Sequence, residues 1–258
     1  MNRRAIPWLF APLLAGCNPG PIDWQDSVQV TPDPRNHGTL VLDMQGPIRP
    51  TVAPDIRPPV APGQCPASVR LWRDESGNAW VAWWSLRSDQ SADLLAASTS
   101  NGRTWTTPVR VDTADAGRTG CDRPPPGIMV DGANVHIVYA MRAREGPGIF
   151  LAHSMDGGAL FHSPVAVVYG EKPGLASVVA RGNFVVAAYE DPNTSPTRIS
   201  VAISTTMAHL FEFRQVVSPP GGAVADPFVW TNGAGVFVSW ARAGEPSPTR
   251  YARYGTIR

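Results

Sequence analysis

The chain has almost no lysine. Lys172 stands alone among 22 basic residues, the rest being arginine; we read this as base-composition bias and take no function from it. Charge of one sign is lacking too. The 21 acidic residues leave a net charge of +1, which gives nucleic acid no attracting field. There is no phosphate-binding glycine loop, no GxSxG nucleophile elbow and no basic-aromatic stripe. The five histidines, His37, His136, His153, His162 and His209, show neither HxxxH nor HxH spacing, so no metal and no other cofactor is expected. No apolar run reaches the roughly 20 residues of a membrane-spanning helix. No stretch sustains helical periodicity. Cysteine is scarce, with three in the chain.

The first of these cysteines sits in a distinctive place. Arg3 and Arg4 precede a short apolar run, Ala5 to Leu14, broken by Pro7 and Pro12. The run ends in Leu14-Ala15-Gly16-Cys17, which fits the end of an export signal. This segment resembles the lipobox of bacterial lipoproteins. The resemblance implies a signal peptide over 1–16, cleavage, and acylation of Cys17. Residues 17–22 would then be a lipidated tether holding the protein to the cell envelope. Asn18 replaces the aspartate that favours inner-membrane retention in similar lipoproteins, which points to an outer membrane or cell surface. The membrane is therefore one expected partner. Export leaves Cys65 and Cys121 in an oxidising compartment, where a disulfide between them is expected. The alternative is a pair of buried thiols.

The remaining chain of about 240 residues can bury a real core. It holds 27 prolines and 24 glycines, yet 43% of residues are hydrophobic, so it reads as turn-rich and globular. It also repeats. Aromatics close β-like runs at Trp83, Tyr139, Tyr189 and Trp240, about 50 to 56 residues apart. Fifteen residues after each of the first three lies a serine: Ser98, Ser154 and Ser204. Each opens an eight-residue stretch ending in an aromatic: STSNGRTW to Trp105, SMDGGALF to Phe161, STTMAHLF to Phe211. The second unit shows four strands most clearly, at 127–130, 134–140, 148–154 and 163–168, with a hairpin turn at Asp131-Gly132. Serial four-stranded antiparallel units are propeller blades. The predicted fold is an all-β, small β-propeller over 23–258.

The eight-residue stretches resemble the Asp-box (BNR repeat) of sialidases and related propellers. Ser154, Asp156, Gly158 and Phe161 match the pattern in full. The first stretch keeps Ser98, Gly102 and Trp105 but has Ser100 where aspartate is expected, and the third keeps only Ser204 and Phe211. The resemblance implies that these residues shape turns between the third and fourth strands, away from any ligand. The fourth unit lacks its last strand. Trp24 and Val28 to Val30 match Trp105 and Val109 to Val111, so the N-terminal strand is expected to complete the C-terminal blade. Four blades are the simplest count. The Pro-rich segment 31–64 is a crossing loop or the remnant of a fifth.

Function is expected on the opposite rim, where loops on a rigid scaffold gather charge. The loops between second and third strands are 85–93, 141–148, 190–197 and 241–249. Those linking successive units include 112–126, 169–174 and 218–227. The candidate ligand residues are Arg87, Asp122, Arg123, Arg142, Glu171, Glu190, Asp226 and Arg242, expected to converge on one channel mouth. Sialidases clamp a carboxylate with three arginines, for which Arg123, Arg142 and Arg242 are candidates. Against that activity, the first-strand FRIP-type motif is missing and the chain is too short for six blades. Tyr189 and Glu190, adjacent in a strand, point to opposite faces. The preferred expectation is a non-catalytic module binding a glycan or an envelope protein. The alternatives are a small carbohydrate-active hydrolase using rim carboxylates, and a scaffold in an envelope complex.

Overall fold

The computed structural model describes residues 20–30, 59, 64–74, 76–244 and 249–258. The export signal, Cys17, His37 and most of the 31–64 segment lie outside the described residues. The regular structure among these residues is all strand, apart from one short 3-10 turn at Pro66–Ser68. No helix among these residues is long and apolar enough to cross a membrane.

Four antiparallel sheets follow one another as the blades of a propeller. Two short strands, β1 (Ile22–Trp24) and β2 (Val28–Val30), open the chain. Blade 1 is β3 (Arg70–Arg73), β4 (Ala79–Leu86), β5 (Ala92–Thr99) and β6 (Val109–Asp112). Blade 2 is β7 (Gly127–Asp131), β8 (Asn134–Ala143), β9 (Gly146–Ser154) and β10 (Val165–Tyr169). Blade 3 is β11 (Ala176–Arg181), β12 (Phe184–Glu190), β13 (Ile199–Ser204) and β14 (Phe213–Val216). Blade 4 is β15 (Val224–Thr231), β16 (Gly235–Arg242) and β17 (Arg250–Ile257), with β1 and β2 both paired to β17.

The expected closure is present in detail. Ile22 pairs with Ile257 and Trp24 with Gly255, then Val28 with Ala252 and Val30 with Arg250. Gly255 makes room for this strand: a Cβ there would lie 2.2 Å from Ile22 and 2.8 Å from Trp24. Ile22, assigned by sequence to the tether, is instead a strand residue 2% exposed, so the folded part begins before residue 23.

The middle strands of blades 2 and 3 are buried on both faces because each of these blades stacks between two others. Successive residues of β8 therefore enter different clusters. Ile137 and Tyr139 pack with Trp84 and Phe150 between blades 1 and 2, while Val138 joins Leu151, Val185 and Ala202 between blades 2 and 3. Trp240, Val238 and Ile199 fill the seam between blades 3 and 4. Trp84 meets Tyr139 edge-on at 5.9 Å, a favoured aromatic geometry. A disulfide joins Cys65, just ahead of blade 1, to Cys121 in the connection to blade 2.

The three turns between third and fourth strands share a hydrogen-bonding scheme. In blade 2 the Asp156 carboxylate accepts from Ala159 N and Leu160 N, both at 3.0 Å, and from the Ser154 hydroxyl at 2.7 Å. In blade 1, Asn101 takes this role, accepting from Arg103 N at 2.9 Å and Thr104 N at 2.8 Å. Its partner is the Thr99 hydroxyl, not that of Ser98. The acceptor and its hydroxyl partner have moved one residue along while the donating N–H groups keep their places, which corrects the part given to Ser98. In blade 3 the Thr206 hydroxyl accepts from Leu210 N at 3.1 Å. There Met207 and Ala208 hold φ of 57° and 65°, the left-handed region that glycines occupy at 157 and 158.

Candidate functional site

The rim end of blade 2, opposite these turns, holds a cleft of about 230 Å³ between the connections that enter and leave that blade. Asp122, Arg142, Glu171 and Lys172 supply its polar groups, with Met141, Pro124, Pro147 and Pro173 as its apolar lining. Three segments build it: the 113–126 connection, the β8–β9 hairpin and the connection after β10.

The first segment is held by a buried ion pair. Asp115 accepts from Arg123 Nη1 at 2.6 Å, from Ala92 N at 2.8 Å and from Gly117 N at 3.1 Å. Arg123 also donates to the carbonyls of Gly120, Gln90 and Gly117, at 2.7, 3.0 and 3.2 Å, and lies 5.5 Å over the Trp84 ring. With a side chain only 6% exposed, it is a staple for the loop and not the carboxylate clamp the sequence suggested. Asp122, between this staple and the disulfide, is exposed at the cleft.

Arg142 was placed in a loop by sequence, but the strands run further, and it pairs with Pro147 inside the hairpin. Its Nη2 stands 3.9 Å from Glu171 Oε2, with side chains 57% and 83% exposed. Such a solvated contact is worth about 1 kcal/mol or less, so a ligand can part it.

The expected convergence of eight residues is thus only half realised. Asp122, Arg123, Arg142 and Glu171 line one cleft; the others serve elsewhere. Arg87 pairs with Asp93 and donates to the carbonyls of Thr113 and Asp115. Glu190, the last residue of β12, accepts from Leu175 N at 3.1 Å and Asp226 N at 3.0 Å. Gly174 must stay side-chain-free, since a Cβ there would come within 2.0 Å of Glu190 Oε2. Asp226 lies in β15 at a register shift, with φ of 56°, and pairs with Arg250. Arg242 ends β16, 5.7 Å over the Tyr251 ring. The strand positions of Glu190, Asp226 and Arg242 correct their assignment to loops, whereas Arg87 lies in its loop as expected.

Neither buried tyrosine is prepared as a nucleophile. Tyr139 is 1% exposed and donates to the buried Asp112; burial first, then that carboxylate, push its pKa far up. Burial, followed by Asp191, does the same to Tyr189. Asp156 is held below the usual carboxylate range by the Ser154 hydroxyl and then by backbone N–H groups. It is committed to its turn.

At the other end of the blades the structure gathers three histidines. His153 lies in β9, His162 ends the turn after it, and His209 lies in the corresponding turn of blade 3. Their nearest ring nitrogens all fall within 4.8 Å of one another. The expectation that no metal-ligand set exists is corrected at the level of geometry. Linear spacing gave no sign because the set spans two blades.

No protein-family profile matches the chain, and no curated protein does. Solved structures do. A protein of unknown function from Dyadobacter fermentans is 18% identical with a TM-score of 0.53, over 73% of this chain and 52% of that one. The Bacteroides ovatus xyloglucan PUL GH43B is 11% identical with a TM-score of 0.48, over 76% of this chain and 39% of its own. A Hadza microbial sialidase is 12% identical with a TM-score of 0.47, over 68% and 42%. The chain spans about half, or less, of the length of these structures. At 18% identity, the likeness to the first is one of fold alone.

Proposed function

We propose that this protein is an envelope-anchored, non-catalytic propeller that binds a saccharide in the cleft at the rim end of blade 2. One observation carries the reading. Asp122, Arg142, Glu171 and Lys172 face a common cleft, while Asp115, Arg123 and Glu190 beside them hold the backbone. Two cations and two carboxylates can donate to and accept from sugar hydroxyls. The prolines and Met141 offer an apolar surface to a ring face. The volume of about 230 Å³ is small for a ligand pocket and suits roughly one sugar ring.

Anchoring by an acylated Cys17 agrees with the entry of the chain. Ile22 pairs at the Ile257 end of β17, on the face of the third-to-fourth-strand turns. Met155, Leu160 and Leu210, in those turns, are 47%, 64% and 58% exposed. In this reading that apolar face lies toward the bilayer and the cleft points away.

A hydrolase reading draws on the presence of two carboxylates, Asp122 and Glu171, in one cleft. Both are exposed to water, and neither is enclosed in the buried apolar pocket that prepares a glycosidase acid. A glycan array and a panel of fluorogenic glycosides, fluorogenic sialosides included, separate the readings. Binding without turnover, weakened by Asp122→Ala and Arg142→Ala, supports the binding module. Turnover abolished by Asp122→Ala or Glu171→Ala moves the protein to the hydrolases.

A further inference from the structure

We propose that His153, His162 and His209 hold one divalent first-row transition ion of the zinc class, with solvent at a fourth position, and so clip blade 2 to blade 3.

The strongest sign is an imidazole without a partner. His153 is 1% exposed, and neither of its ring nitrogens has a hydrogen-bond partner among the described residues. Buried polar groups are almost always satisfied, and an orphan asks for a reason, an ion being one. His153 faces blade 3: it shares its strand face with Leu151 and Ile149, which pack in the seam between blades 2 and 3. Its ring centroid lies 4.6 Å from that of His162 and 4.6 Å from that of His209, while those two are 6.1 Å apart. One buried ring thus meets two more accessible ones from separate turns.

The backbone places these rings. His162 N donates to His153 O at 2.9 Å, closing the blade 2 turn and fixing the two residues side by side. His209 N donates to Thr206 O at 3.1 Å. Its Nδ1 lies 2.7 Å from the same oxygen. With the proton on Nδ1, Nε2 is left as a bare acceptor. Metal-bound histidines characteristically donate their other ring N–H in this way.

Chemistry selects the ion. Three imidazole nitrogens suit zinc, copper, cobalt or nickel and not calcium or magnesium, which take oxygen. Tetrahedral zinc with bonds of about 2.1 Å needs nitrogens roughly 3.4 Å apart. The nitrogens, within 4.8 Å, must draw in by up to about 1.4 Å, which the half-buried His162 and exposed His209 can do by turning their side chains. Three protein ligands and an open fourth position is the arrangement of accessible zinc sites.

The test uses the untagged full chain, stripped with a chelator and then titrated with zinc. One ion per chain is expected, with a rise in thermal midpoint. Cobalt should give the intense visible absorption of a four-coordinate centre. His162→Ala and His209→Ala, at accessible positions, should leave circular dichroism unchanged and weaken zinc binding by more than about 100-fold, the upper range for losing even an outer-shell partner. Retention of affinity and stoichiometry in the folded His162→Ala/His209→Ala double variant would overturn the proposal. So would a wild-type chain that takes up no zinc or cobalt.

Discussion

Breaking the bridge between Cys65 and Cys121 should cost the propeller a large share of its stability. The bond spans a sequence separation of 56 and ties the start of blade 1 to the loop that carries Asp122. Chain-entropy arguments for a loop of that size give about 14 cal/mol/K, or roughly 4 kcal/mol at room temperature. For a chain of this length that is a fall in melting temperature of about 8 °C. The assay is equilibrium urea unfolding of the oxidised protein beside Cys65→Ser/Cys121→Ser. The midpoint should fall and the slope should rise, because the unbridged denatured chain is more expanded. The cleft should suffer as well, because Asp122 and Arg123 follow Cys121 directly; saccharide affinity should drop even where the variant is fully folded. A change below about 1 kcal/mol, with an unchanged slope, would refute the reasoning: the loop would then be held by the Asp115–Arg123 pair without help.

Arg123→Ala should destabilise by about 3–5 kcal/mol, since it strands a nearly buried Asp115 carboxylate; chemical denaturation measures it. Trp240→Ala empties the seam between blades 3 and 4 and should cost about 3–5 kcal/mol by the same method. Gly255→Ala drives a methyl into Ile22 and Trp24, so limited proteolysis should release the N-terminal strand first. For pH, His136 is fully buried and its pKa is lowered from 6.5 to about 4, by burial and then by His153. The unfolded chain therefore binds the extra proton between those values. The stability His136 provides is full above pH 6.5 and is lost as pH falls toward 4, by roughly 3 kcal/mol in metal-free protein. Urea midpoints at pH 7 and pH 4.5 would test this, and equal midpoints would contradict it.

The blades were readable from sequence because each repeats a local physical signal. Apolar runs broken by Asp131-Gly132 or Gly182-Asn183 specify hairpins through turn chemistry alone, and strand pairing follows. The closure by Trp24 and Val28 to Val30 was legible because it repeats the pattern of blade 1. The site was less so. Whether a rim arginine binds a ligand or a loop depends on what lies across from it, and nothing near Arg123 in sequence announces that Asp115, Gln90 and Trp84 surround it. Likewise Glu190 reads as an exposed loop acid until the backbone of Leu175 and Asp226 is brought against it. Thr99 and Asn101 stood in for serine and aspartate because short side chains with an oxygen are interchangeable in such turns. The histidine set was hidden because two of its members lie in one blade and the third in the next.

Hydrogen exchange with a bound saccharide tests the central claim most directly. A sugar identified on the array should slow exchange in 117–124, 141–147 and 169–174, the three segments around the cleft, and should leave the turns at 155–161 and 205–211 unchanged. Protection confined to those turns, or spread over 190–197 with none at the cleft, would contradict the assignment of the ligand site to the rim end of blade 2.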